Sequence, residues 1–283
     1  ENKMNIVLVI FGASGFVGRN LMDHLYKYDP IGVDKESPRK DYLGKYKKFL
    51  QSDVFSLKSV PSVNKPFYVI NLMAELGSPD LKKNIRNNLD SVEHLYSIIK
   101  NTNAECLGVV HFSSISAERG ASYYGKTKMD AEEIVKSKNI PYVILQSEMI
   151  VGKGARSIEK LKKGLNFFPF ISFLPKGGEV TRYPIDIQDV CETTRLIIVN
   201  DLFDNMVYHL ISEKTTMKKL SKKYTNNIIF TIPKFLLLST ARILEFFFKN
   251  PMFTYDNAVG VCSDTKLKLD IVNTDVINKK LNG

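Results

Sequence analysis

Through its first half the chain alternates short apolar runs with stretches in which apolar residues recur at helical spacing. Residues 6–11, 31–33, 48–51, 68–72, 108–112 and 142–145 read as strands. Between them, Leu21 with Leu25, and Leu89, Val92, Leu95 and Ile99, fall on single helical faces. Such alternation predicts βαβ units, and right-handed crossovers make of them an α/β fold with a doubly wound parallel sheet.

From about Gly152 the alternation loosens into a lysine-rich helical stretch, a Phe/Pro-rich segment at 167–175 and a turn at Lys176, Gly177 and Gly178. Residues 183–187 read as a further strand, Asp189 stands near the start of a helix running to Val199, and residues 207–211 read as a strand that rejoins the main sheet. Residues 232–248 are the most apolar stretch, interrupted by Pro233, Lys234, Arg242 and Glu245 and too short to span a bilayer. The expectation for them is a buried helix packed on the second region. An interfacial helix with basic flanks in peripheral membrane contact, or a homo-oligomer contact, is the alternative.

Composition narrows the function classes. With 44% hydrophobic and 25% charged residues, 283 residues suffice for a substantial core and a disordered chain is not expected. Three widely spaced cysteines suggest neither a disulfide framework nor a metal site, which fits a reducing, cytoplasmic location. Residues 6–11 read as strand and not as a targeting sequence, lacking the basic region and cleavage site of a secretory signal. The net charge of +10 is spread over scattered lysines with no aromatic-basic motif, so a nucleic-acid partner is not expected.

Gly12, Gly15 and Gly18 follow the first strand and precede a helix. The chemistry of a dinucleotide asks for this: Gly12 permits the tight turn, Gly15 admits the pyrophosphate to the backbone, Gly18 allows close helix–strand packing, and the helix N-terminus offers free amides. Asp34 ends the second strand, where a carboxylate accepts hydrogen bonds from the adenosine ribose, favouring NAD; Lys35 and Arg39 suit a 2′-phosphate and leave NADP open. Asp53 reads either as a turn cap or as a contact to adenine. Residues 1–150 thus read as a dinucleotide-binding domain and 151–283 as mainly a substrate-binding region that partly returns to the sheet.

Ser114 closes the fifth strand, and Tyr124 and Lys128 lie four apart on the next helical stretch, hence on one face. An ammonium beside a tyrosine favours the tyrosinate and equips it for acid/base work, while Ser114 aligns a substrate oxygen. Tyr123 has only Thr127 at that spacing. His111, inside an apolar strand, reads as a core histidine; Glu132 and Glu133 read as a solvated face, and Glu148 as a substrate contact.

Together Phe11 to Gly18, Phe112-Ser113-Ser114 and Tyr124-Gly125-Lys126-Thr127-Lys128 resemble successive motifs of the extended short-chain dehydrogenase/reductases. Asn71-Leu72-Met73-Ala74, Asn88 and the segment from Tyr183 to Val190 extend the resemblance to roughly residues 5 to 200. It implies a Rossmann fold with Gly12, Gly15, Phe16, Val17, Gly18, Asp34, Asp53, Ala74, Tyr124 and Lys128 against the cofactor, and Ser114, Tyr124 and Lys128 as the catalytic group. Gln146-Ser147 and Gly152-Lys153 replace the family's usual Arg-Pro and Gly-Pro, traits that look like the atypical branch, which includes the NAD(P)H-binding accessory subunit of respiratory complex I. The expected activity is an NAD(P)-dependent epimerase, dehydratase or ketoreductase acting on a nucleotide-linked sugar, with Lys160, Lys162 and Lys163 toward the diphosphate. The alternative is a non-catalytic scaffold or redox sensor.

Overall fold

The computed structural model describes residues 6–38, 48–76, 78, 80–119, 122–248, 251 and 253–282. Arg39 lies outside them. Six strands form in the first half: β1 (Val7–Phe11), β2 (Ile31–Asp34), β3 (Lys48–Gln51), β4 (Phe67–Asn71), β5 (Cys106–Ser114) and β6 (Tyr142–Ser147). Met206–Leu210 and Ile271–Val272 add to the β6 edge, completing an eight-stranded sheet in which every pairing is parallel.

The alternation of β1 explains the layers. Leu8 and Ile10 face a core shared with helices Phe16–Leu25 and Ile187–Val199, while Val9 and Phe11 face one shared with helices Ser91–Lys100 and Tyr123–Ser137. Helices on both faces bury Leu8 to Phe11 of this central strand, as a parallel sheet requires. The order β3-β2-β1-β4-β5-β6 reverses beside β1, opening a crevice past the carboxyl ends of β1 and β4. The glycine turn leaves β1 at that point.

Two expectations change. Residues 183–187 are not one strand: Thr181–Arg182 and Pro184–Asp186 are separate short strands, and Ile187 already belongs to the helix. Between them the Tyr183 amide donates to Glu148 Oε2 at 2.6 Å, so no strand partner claims it. The stretch 232–248 does form a helix, Lys234–Phe247, but only its Ala241 is buried, so the buried-helix expectation fails. Apolar composition does not by itself bury a helix; a covering layer must exist, and here the adjoining helix Tyr255–Cys262 covers one side only.

Candidate active site

The turn after β1 is built for close approach. Gly12 has φ 82°, and a Cβ on it would lie 2.9 Å from the Leu72 carbonyl carbon. A Cβ on Gly18 would meet the carbonyl oxygens of Gly12 and Ala13 at 2.6 Å. Gly15 differs: it is exposed, caps helix Phe16–Leu25 with no side chain, and faces open space except for Gly12 O at 3.2 Å. The first-turn amides of Phe16, Val17 and Gly18 therefore have no side-chain cap, and the positive end of the helix points at the crevice. This cradle fits a pyrophosphate.

Asp34 ends β2 beside the turn. Its Oδ2 accepts from the Ser14 amide at 3.0 Å and hydroxyl at 2.6 Å, and Oδ1 accepts from the Glu36 amide at 3.1 Å. Held so, the carboxylate keeps one acceptor site, on Oδ1, for a ribose hydroxyl. Asp53 caps the turn Val54–Ser56 through the Phe55 amide at 3.2 Å and pairs with Arg86 at 3.3 Å. Arg86 in turn stacks 4.1 Å over the Phe55 ring. Ala74 lies exposed past β4. The loop carrying it is held by Asn88, whose Oδ1 accepts from the Glu75 amide at 2.7 Å and whose Nδ2 donates to Thr127 Oγ1 at 3.2 Å, tying it to helix Tyr123–Ser137.

That helix starts where Ser122 Oγ accepts from the Gly125 amide at 3.0 Å. Tyr123 points to solvent, whereas the half-buried Tyr124 hydrogen-bonds the Ser114 side chain. Burial pushes the Tyr124 hydroxyl up to about 12, and the Ser114 bond offsets only part of this. The chain alone thus keeps Tyr124 protonated; Lys128, expected to favour the tyrosinate, has its ammonium aimed elsewhere, donating to the Phe112 carbonyl at 2.8 Å. Lys128 is 1% exposed, and burial lowers its pKa to about 8 against the opposing pull of Glu132.

Glu132 is a residue that the sequence reading misplaced. Far from solvated, it is 4% exposed, while Glu133 is the one in water, paired with Lys136 at 2.8 Å. Glu132 Oε1 accepts from the Ser113 hydroxyl and from Gln146 Nε2 at 2.9 Å, and burial still raises its pKa. Its place four residues after Lys128, on the same helix face, was the available signal. His111 is a buried core residue bonded to Asn71 Nδ2 at 3.0 Å, its pKa held well below the usual range first by burial and then by Lys128. Glu148 is tied up structurally: besides the Tyr183 amide it takes the Thr265 hydroxyl and lies 3.5 Å from Arg182. Lys162 sits over the Tyr224 ring and pairs with Glu159 at 3.5 Å, and Lys160 and Lys163 are exposed. Among the described residues no group of three His, Cys, Asp or Glu side chains is placed to hold a metal.

The sequence profile of the NAD dependent epimerase/dehydratase family matches residues 8–208. The chain belongs to that family. It is a family of enzymes, and NAD is the cofactor. Among solved structures, the chain resembles UDP-glucuronic acid 4-epimerase from Bacillus cereus in complex with NAD, at 20% identity and a TM-score of 0.63 over 91% of this chain and 100% of that one. The Bordetella bronchiseptica enzyme WbmF in complex with NAD+ gives 18% identity and a TM-score of 0.65 over 100% and 94%. UDP-glucose 4-epimerase from Thermotoga maritima with UDP-glucose gives 18% and 0.61 over 81% and 86%. At these identities the likeness establishes the fold. No curated protein sequence matches the chain.

Proposed function

We propose that the protein is an NAD-dependent epimerase or dehydratase of a nucleotide-linked sugar. The observation that carries this is the hydrogen-bonded Ser114–Tyr124 pair, with Lys128 one turn on, standing at the carboxyl edge of the sheet beside the glycine cradle. Gly12, Gly15, Phe16, Val17 and Gly18 would hold the pyrophosphate, Asp34 the adenosine ribose, Asp53 and Ala74 the rim, and Tyr124 with Lys128 the nicotinamide end. Bound there, NAD supplies a hydride acceptor next to the sugar carbon.

Tyr124 moves the hydroxyl proton, and Ser114 orients the oxygen that bears it. A tyrosine at about 12 needs nearby positive charge to ionise near neutrality, and with Lys128 aimed away the oxidised ring of a bound NAD would supply it. A cleft lined by Ile115, Glu118, Val259, Asp264, Lys266 and Lys268 opens directly after Ser114. Its two lysines suit a diphosphate better than Lys160, Lys162 and Lys163 do. The two UDP-sugar 4-epimerases among the neighbours support this substrate class. The test is to incubate the purified protein with NAD and a panel of UDP- and dTDP-sugars and follow epimerised or dehydrated products by NMR. Conversion of none of them overturns the reading.

A further inference from the structure

The chain carries a fixed aromatic face that its own fold leaves uncovered. Strands Ile171–Pro175 and Ile228–Ile232 pair in parallel with Phe173 opposite Phe230, and both rings face outward. Phe168 packs edge-on against Phe167 at 4.9 Å and against Phe173 at 6.1 Å, extending the row. Phe170, 82% exposed, is held at φ 64°, a conformation side chains rarely adopt. The loop is pinned: Asn227 Nδ2 donates to the carbonyls of Leu165, Phe168 and Ile171 at 3.0–3.2 Å. Past Pro233 the chain continues into helix Lys234–Phe247, which turns Phe235, Ile243, Phe246 and Phe247 to solvent. Single exposed apolar residues are ordinary; two clusters of exposed rings, Phe167–Phe168–Phe173–Phe230 and Phe246–Phe247, on one continuous stretch of ordered backbone mark an interaction surface.

Charge selects the occupant. Residues 160–176 hold four lysines and no acidic residue, and residues 214–249 hold eight Lys or Arg and only Glu245. That leaves 28 basic against 29 acidic residues in the rest of the chain, so the chain's positive excess resides in the two segments that build the aromatic face. Lys162, Lys176 and Lys218 pair with Glu159, Asp264 and Glu179 outside them, and the other basic residues of the segments carry the excess. Glu245 itself turns inward to accept from the Tyr255 amide at 2.8 Å. Lysines and phenylalanines are joined in space as well: Lys162 lies over Tyr224, and Thr225 bonds Asn166, beside the Phe167–Phe168 pair. A second copy docked on this face would press like charge on like charge. An anionic bilayer surface offers opposite charge at its headgroups and an apolar layer just beneath them.

We infer that this face seats the protein peripherally on an anionic membrane, the phenylalanines entering the headgroup–acyl boundary and the lysines meeting lipid phosphates. No helix among the described residues is long and apolar enough to cross a membrane. The test is flotation of the full chain with phosphatidylcholine vesicles and with vesicles in which about a third of the lipid is phosphatidylserine. Binding is expected to be at least about tenfold stronger to the anionic vesicles and to weaken as salt rises from about 0.1 to 0.5 M. The combined variant Phe235→Ser, Phe246→Ser, Phe247→Ser should lose binding while its thermal midpoint and NAD affinity stay at wild-type values. Lys222→Glu with Lys223→Glu should remove the preference for anionic lipid. Absence of binding, equal binding to both vesicles, or a lipid-indifferent dimer that the phenylalanine variant splits into monomers would each overturn the inference.

Discussion

The glycine cradle permits a prediction that separates binding from folding. Gly15 is exposed, has φ −64° and ψ 174°, and a Cβ there meets only Gly12 O at 3.2 Å. Gly15→Val is therefore compatible with the fold, costing about 1 kcal/mol from its poorer capping of the helix. For a chain of this size that lowers the melting temperature by roughly 2–4 °C. The same side chain, however, stands over amides that must meet a charged pyrophosphate. Losing two charge-assisted hydrogen bonds at about 1.5–3 kcal/mol each weakens NAD by roughly two to four orders of magnitude. Gly18→Ala acts on the fold first. Its Cβ would lie 2.6 Å from two backbone oxygens that cannot step aside, so the turn itself must open, at roughly 1–3 kcal/mol before the helix preference for alanine returns about 1. Calorimetric titration with NAD and a thermal melt of each variant read the two effects apart. A folded Gly15→Val protein that binds NAD as the wild type does refutes the cradle.

Tyr124→Phe keeps the ring and removes the proton: once a substrate is in hand, turnover should fall by roughly 10² or more with NAD affinity nearly intact, and retained turnover removes Tyr124 from the chemistry. The lowered pKa of Lys128, about 8, gives a pH dependence whose direction follows from its charge. The ammonium is present below pH 8 and lost above it, so NAD affinity should decline between pH 7 and 9 in the wild type and be weaker but flat in Lys128→Met; a flat wild-type titration contradicts this. Gln146→Leu strips buried Glu132 of a donor and should cost roughly 1–3 kcal/mol in urea unfolding at neutral pH, with an unchanged midpoint counting against the network.

Much of the fold was legible because a parallel sheet buried on both faces leaves continuous apolar runs, and six runs mark β1 to β6 with small errors at their ends. The helix to Val199 was legible but its start was not: residues 183–187 read as strand and Asp189 as near the start, whereas Asp186 is the cap, accepting from the Gln188 amide at 2.8 Å. The second region was harder. Its strands are two to five residues long and borrow partners far along the chain, such as Phe173 opposite Phe230, and no periodicity within either segment announces that pairing. The helix Lys234–Phe247 was misjudged for a related reason: burial depends on what lies above a helix, and hydrophobicity measures only what the helix offers.

The site divides along the same line. The glycine turn, Asp34 and the Tyr124–Lys128 spacing are local and visible in short stretches of sequence, but the direction of the Lys128 ammonium, toward the Phe112 carbonyl, is not. Glu132 is different, because a carboxylate next to Glu133 on a helix after a lysine reads as surface until Ser113 and Gln146 are known to converge on it. Gln146 was noticed only as a departure from the arginine that the resemblance leads one to expect there. In the fold that departure and the buried glutamate belong together: Gln146 supplies neutral donors to a carboxylate whose charge in turn opposes the burial-driven loss of the Lys128 proton. An arginine at 146 would compete for Glu132 and push the Lys128 pKa lower still. The residues that look like exceptions to the motif therefore form a compensating set, and a substitution restoring the expected arginine at 146 alone should harm the lysine it was meant to accompany.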